Sequence, residues 1–454
     1  MAGTTRTPGP PTTTVAYRGD SSASRRLDER ARAVMPAGNT RHSIALSPYP
    51  VYVASGHGCR VRDVEGEERL DFLNNFTSLI LGHADPDVTA AVQARVAEGT
   101  AFAAPTALDV ELAELLVERL PGVERIRFCN SGSEAILLGL KAARAFTGRP
   151  RIAKIEGAYH GLYDYAQVSE APPPEAWGPA ERPASVIEAG CAPSVANDVV
   201  VLPWNDAATC TRLIEEHHDS LAAVLLDPLP MGLGLVPPGP GFLERLRDVT
   251  SAHRILLVAD EVLSFRLGYH GGFHHHGIRA DLVCLGKIIG GGFPTGAIGG
   301  RADVMAVFDH TRGPARVHHG GTYNGNPVSM TAGLVTLRKM TPAAFARLDR
   351  LGDALRQKLR ELLAARGRGG QVLGRNSLFC VRLTDEQLRD WRTVSRHVRS
   401  QPLYARVCHE MLERGVIQSP RGILGCLSTP MDEPELLAFV QALDGTLAAL
   451  DRSA

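Results

Sequence analysis

The run Ile255-Leu256-Leu257-Val258-Ala259, closed by Asp260-Glu261, constrains the fold more than any other part of the chain. Its apolar residues do not alternate with polar ones, so a strand built from it must be buried on both faces. Such strands belong to parallel sheets with helices on either side. Ile126-Arg127-Phe128, Ile152 to Ile155, Ala222 to Leu226 and Leu282 to Leu285 read as further strands. Helical spacing over Leu108 to Leu120, Gly132 to Phe146 and Phe242 to Ala252 fills the intervals. The expected fold class is therefore α/β, with a mostly parallel sheet covered by helices. Active sites of such sheets form at the carboxyl ends of the strands.

At 454 residues the chain exceeds one ordinary domain. Residues 1–24, rich in Thr, Pro, Ser and Gly, read as a disordered extension. Residues 25–75 carry a helix and a strand pair and are expected to join a smaller domain. Residues 76–335 form the large domain. After that the helices become long and charged, and 336–454 read as a small α+β domain. A formal net charge of zero argues against a nucleic-acid partner. None of the eight cysteines forms a C-x-x-C pair, and several lie in apolar runs. Reduced, buried thiols are expected. No apolar stretch approaches the ~20 residues of a membrane span, so a soluble, cytoplasmic protein is expected.

Five blocks carry chemistry. Lys287 stands in Leu285-Gly286-Lys287-Ile288-Ile289-Gly290-Gly291-Gly292, just past an apolar strand. Desolvation there would lower its pKa and free the amine for Schiff-base formation; a snorkelling surface lysine is the plainer alternative. Asp260 ends its strand where it can face a protonated ring nitrogen, or simply cap a turn. Asn130-Ser131-Gly132-Ser133-Glu134 begins a helix, where free amides and the dipole suit an anion, or form a plain capping arrangement. Ala158-Tyr159-His160-Gly161 puts two flat rings past another strand, to flank a cofactor or to fill a core. Gly320-Gly321-Thr322-Tyr323-Asn324-Gly325-Asn326-Pro327 offers a hydroxyl and flexible amides, or is an ordinary turn-rich loop.

These blocks, in this order over about residues 25–450, resemble the class III aminotransferases, fold-type I pyridoxal-phosphate enzymes. The resemblance implies pyridoxal 5'-phosphate as cofactor, Lys287 as its covalent anchor and Asp260 as partner of the pyridine nitrogen. It implies Val262 on one ring face and Tyr159 on the other, with His160 beside them, and Ser131, Gly132 and Ser133 around the phosphate. It further implies a homodimer in which Thr322 reaches the neighbouring phosphate. Two branches are close, the glutamate-1-semialdehyde aminomutases and the β-amino-acid aminotransferases. The second shares Pro36-Ala37-Gly38-Asn39-Thr40-Arg41, which marks Arg41 as a substrate carboxylate clamp, with a structural arginine as the alternative. Arg421 is a second candidate with the same alternative, and Phe76 falls where these branches carry an aromatic residue that shapes the substrate pocket, with a core role as the alternative.

The chain departs from the family where Asp227-Pro228 replaces the usual Glu-Pro. Phe76 and Ser78 stand where the mutase pattern has Trp and Pro, and Arg266-Leu267 follows the β-amino-acid branch. An aminotransferase acting on a β-amino acid or related amine and an oxo acid is therefore the leading expectation, with a mutase or racemase as the alternative. The histidines at 270 and 274–276 are read as a mobile loop near the site rather than a metal centre.

Overall fold

The structure, a computed structural model, describes residues 22–311, 313–397, 402–419 and 422–452. Most of the expected N-terminal extension lies outside the described residues. Ser22 already caps the first helix, Ala23–Val34, and Ser24 is buried against Glu65.

A seven-stranded sheet forms the centre. Its strands are β1 (Arg125–Cys129), β2 (Arg151–Ile155), β3 (Val199–Leu202), β4 (Leu221–Leu226), β5 (Leu256–Asp260), β6 (Leu282–Gly286) and β7 (Gly296–Gly300). Their order across the sheet is β1-β7-β6-β5-β4-β2-β3. All run the same way except β7, which pairs antiparallel with both β1 and β6. Every residue of β4, β5 and β6 is buried, as their unbroken apolar character requires. Apolar clusters on the two faces separate Leu257 and Leu285 from Val258 and Cys284, so the sheet is covered on both sides.

Two strands of this sheet were not expected. β3 is a short Val-rich run. β7 reads Gly296-Ala297-Ile298-Gly299-Gly300, a composition that disfavours strands. Its glycines are required by contact: a Cβ on Gly296 would lie 2.1 Å from the Ser131 carbonyl oxygen, and one on Gly300 would lie 2.4 Å from that of Asp281. Helices Ala207–His217, Pro327–Lys339 and Pro402–Glu413 were also not expected. Pro327–Lys339 runs through residue 335, so the compositional change drawn there falls within a helix.

Two smaller sheets flank the centre. One joins Val53–His57, Arg60–Asp63 and Glu68–Asp71 to Val416–Ile417, which pairs parallel with Leu70 and Asp71. The other joins Gln371–Leu373, Leu378–Arg382 and Ile423–Cys426. The first sheet thus links the chain's beginning to its end. No helix among the described residues is long and apolar enough to cross a membrane.

Candidate active site

Because β1, β2, β4, β5 and β6 point the same way, the segments that follow them meet at one edge of the sheet. Those segments carry Asn130–Ser133, Tyr159-His160, Asp227, Asp260–Val262 and Lys287. Close packing holds them together. A Cβ on Gly132 would lie 2.7 Å from Val262 Cγ1, and one on Gly161 would lie 2.4 Å from Ser133 Oγ. The Leu162 amide donates to that same hydroxyl at 3.3 Å. Gly286, just before Lys287, packs on Gly132 and Val262. The anion turn, the acidic turn and the lysine strand therefore touch.

Asp260 is buried and its carboxylate is oriented from two sides. Oδ1 accepts from the Val262 amide at 3.0 Å and Oδ2 lies 2.7 Å from His160 Nδ1. Burial keeps the His160 imidazole neutral by lowering its pKa, against the pull of Asp260. A neutral ring that donates from Nδ1 leaves Nε2 as an acceptor, and Nε2 is buried with no hydrogen-bond partner among the described residues. Tyr159, by contrast, is 53% exposed.

Lys287 opens the short turn Lys287–Gly290 with φ of 51°, a left-handed conformation that costs a non-glycine residue energy and marks functional positions. Burial lowers its ammonium pKa, while Asp260 and Asp227 act in the opposite direction. Asp227 is buried and its pKa is pushed well up, first by burial and then by Asp260. Its Oδ1 accepts from the Leu229 amide at 2.8 Å. Glu261 is raised to about 7 by burial, although it accepts from the amides of Gly272 and Phe273 and from Ser264 Oγ.

At the head of the helix Gly132–Thr147, Ser131 Oγ accepts from the Glu134 amide at 3.1 Å. The amides of Gly132 and Ser133, in the first turn, lack intrahelical acceptors, which is the arrangement an anion needs.

Asn74–Thr77 form a turn the sequence did not reveal. Asn74, Asn75, Phe76 and Thr77 have φ of 47°, 46°, 54° and 76°. Four consecutive left-handed residues persist only when their surroundings over-determine them. Asp71 Oδ1 accepts from the amides of Leu73 and Asn74, and Asn74 Nδ2 donates to the Cys426 carbonyl at 3.0 Å. Arg266 Nη1 donates to the Thr77 carbonyl at 2.7 Å. Arg266 is itself buried, and donates as well to Ser377 Oγ and the Leu427 carbonyl. It thereby ties the turn to the C-terminal segments beside Lys287, whose pKa it helps lower. Arg41 and Phe76, both expected on the substrate side, meet at this turn. The guanidinium lies 5.5 Å from the Phe76 ring centroid, and Nη1 donates to Asn75 Oδ1 at 3.0 Å.

Thr322 lies exposed in the turn that precedes helix Pro327–Lys339. Arg421 lies outside the described residues. The 270–276 segment is not the loose loop expected. Phe273–His276 is a 3-10 helix, His275 Nε2 bonds the Leu267 carbonyl at 2.8 Å and His270 Nδ1 that of Arg119 at 2.8 Å. Among the described residues no group of three potential ligands could hold a metal ion. Sequence reading also passed over Glu261 as a buried acid and Arg266 as a tie. The signal for both was a charge placed within the apolar stretch around 255–267.

The family model for class-III aminotransferases matches residues 44–430. The chain is 37% identical to a glutamate-1-semialdehyde 2,1-aminomutase of Methanothermobacter thermautotrophicus, over 94% of this chain and 99% of that one. It is also similar to solved structures. An omega-transaminase from Sphaerobacter thermophilus matches with a TM-score of 0.90 and 49% identity, covering 95% of this chain and 98% of that one. A β-phenylalanine aminotransferase from Variovorax paradoxus matches with a TM-score of 0.84 and 35% identity, covering 94% of each chain.

Proposed function

This chain belongs to the class-III aminotransferase family, and from that premise we propose that it is a pyridoxal-phosphate aminotransferase that moves an amino group between a β-amino acid or related amine and an oxo acid. The residues at the sheet edge fit the cofactor. Lys287 offers an amine of lowered pKa among acids, Asp260 is aimed by His160 and Val262, and the amides of Gly132 and Ser133 open the helix where a phosphate would sit. When bound, the cofactor supplies an electron sink for the carbanion left on proton removal.

This chain's own groups then have distinct tasks. Asp260 holds a proton on the ring nitrogen, and His160 keeps its carboxylate in place. Lys287 Nζ takes a proton from the amine-bearing carbon of the substrate and returns it, the work of a general base and acid. Val262 and Tyr159 flank the ring. Arg41 grips the substrate carboxylate by its guanidinium fork, and Phe76 walls the side-chain pocket. Thr322, exposed on its turn, reaches the phosphate of a second subunit, so the working unit is a homodimer.

The observation that carries the substrate reading is the contact of Arg41 with Phe76 on the left-handed turn that Arg266 fastens beside Lys287. The mutase reading draws its support from the Methanothermobacter relative. Holoenzyme incubated with β- and α-amino acids and no oxo acid separates the two. One equivalent of product per site, with bleaching of the visible band, is the transaminase outcome. Continued turnover to an isomer of unchanged mass is the mutase outcome and overturns the proposal.

A further inference from the structure

A hydrogen-bonded chain runs between the two segments assigned above to phosphates. Arg127, on β1, donates from Nε to His319 Nδ1 at 3.0 Å. His319 Nε2 lies 3.0 Å from the Asn324 side-chain amide, and Asn324 joins the Asn130 amide at 2.9 Å. Asn130 and Ser131 begin the anion turn, and His319 and Asn324 bracket Thr322. Phe308 backs the chain: the Arg127 guanidinium lies 5.6 Å from its ring centroid, and the His319 ring packs on it at 6.0 Å.

The chemistry of the donors fixes the protonation. An arginine Nε–H only donates, so His319 Nδ1 must accept and the ring proton must sit on Nε2. Nε2–H then needs an oxygen. A side-chain amide turns by 180° in the same volume, so Asn324 meets the ring with its carbonyl and Asn130 with its NH2, and the Asn130 amide turns with it to accept through its Oδ1. A doubly protonated ring would set its Nδ1–H against Arg127 Nε–H. It would break the first link and place two cations in contact.

We infer that His319, neutral and protonated on Nε2, is a positioning residue that clamps the Thr322 turn to the Asn130–Ser133 turn, and that its protonation loosens the grip of both on phosphate. The inference rests on the reading that these turns hold the cofactor's phosphate. In the proposed dimer one clamp serves two phosphates, because the Asn130–Ser133 turn faces its own site and Thr322 faces the neighbour's. The groups that face His319 are Arg127 from β1, Glu134 from the helix it heads, and His318 next in the chain. Burial, followed by Arg127, lowers the His319 pKa, and Glu134 opposes them. The clamp is therefore whole at neutral pH and opens on acidification, in a window below the ordinary histidine value.

The test is retention of pyridoxal phosphate and of pyridoxal, which lacks the phosphate, by holoenzyme and its variants. Both are followed by the visible band, with near-ultraviolet circular dichroism to verify folding. His319→Phe keeps the ring's bulk and loses both links, and Asn324→Ala cuts the second link alone. Each is expected to weaken pyridoxal phosphate by about tenfold, the equivalent of one hydrogen bond, and to leave pyridoxal unchanged. His319→Gln, whose amide falls at the Nε2 position, is expected to hold pyridoxal phosphate near wild-type strength. It should also lose the His319 part of the acid weakening, while the titration of the phosphate itself, with a pKa near about 6, stays common to both proteins. Equal losses of both ligands, no loss of either, or an unchanged pH profile in His319→Gln overturns the inference. A wild-type protein that retained neither ligand would instead sink the cofactor reading, and this inference with it.

Discussion

Strand β6 has a charged residue just outside each end, and the two ends treat acids differently. At its start Asp281 receives Arg247 Nη1, Arg301 Nη1 and the Leu257 amide, each at 2.8 Å. Burial pushes that carboxyl up, but the amide and the two guanidinium groups outweigh it and hold the pKa below the ordinary value. At the far end, past Gly286, Asp227 and Glu261 are buried, Asp227 near Lys287, with no ion pair to an arginine among the described residues. Both rise. Acids in one sheet thus diverge because one end sets two guanidinium groups against burial and the other sets none. The first arrangement holds structure together. The second is what proton transfer needs, and perturbed groups gathered in one place mark a functional site.

The largest expected effect lies at the reactive end. Lys287→Ala should lower turnover by at least about a thousandfold, measured with a competent amino donor and acceptor, because both covalent anchoring and proton transfer are lost. A loss of only a few-fold would mean that the reactive end has been misplaced.

A matched pair of substitutions tests the contrast directly. Asp281→Asn removes a charge that two arginines require and should cost about 3 kcal/mol in chemical denaturation, with turnover per folded site unchanged. Asp227→Asn replaces an acid whose pKa burial and Asp260 push well up, keeps the Leu229 amide bond, and should cost less than about 1 kcal/mol. Similar costs at both positions would erase the distinction between the ends.

The smallest effect is a slope. Burial raises Glu261 to about 7 when folded, against an ordinary carboxyl value of 4.5. The folded state therefore binds the extra proton between those values. The contribution of Glu261 is fully present below 4.5 and is lost as pH rises towards 7. Asp281 has the opposite sign: its contribution is present above 3.8 and is lost as pH falls through its lowered value. Glu261→Gln should flatten the fall in stability between 4.5 and 7, measured by denaturation midpoints across pH. An unchanged slope would assign that fall to another group.

The sheet edge that carries Lys287 was largely legible in the sequence, because buried strands write themselves as unbroken apolar runs. The helices Gly132–Thr147 and Phe242–Ala252 fall where periodicity placed them. Lys287, Asp260 and the Ser131 cap stand at strand ends that any parallel sheet brings to one edge. What stayed hidden depended on contacts distant in sequence. β7 is a strand because Ser131 and Asp281 press against its glycines, not because glycine favours strands. The left-handed turn at Asn74–Thr77 could not be read, since Phe and Thr disfavour that conformation. Its causes lie far along the chain, at Arg266 and Cys426. The His319 links were likewise invisible, because Arg127 and His319 are brought together only by the fold.

Two lysines in this chain have amines made less basic by burial. Lys154, within β2, is lowered to about 7 and donates to the carbonyls of Ile155 and Val168. Lys287 stands at the sheet edge. Reduction of the holoenzyme with borohydride, followed by proteolysis and peptide mass mapping, reads which amine holds the cofactor. The account predicts the phosphopyridoxyl label on Lys287 alone. Label on Lys154, or on any other lysine in place of Lys287, would contradict it.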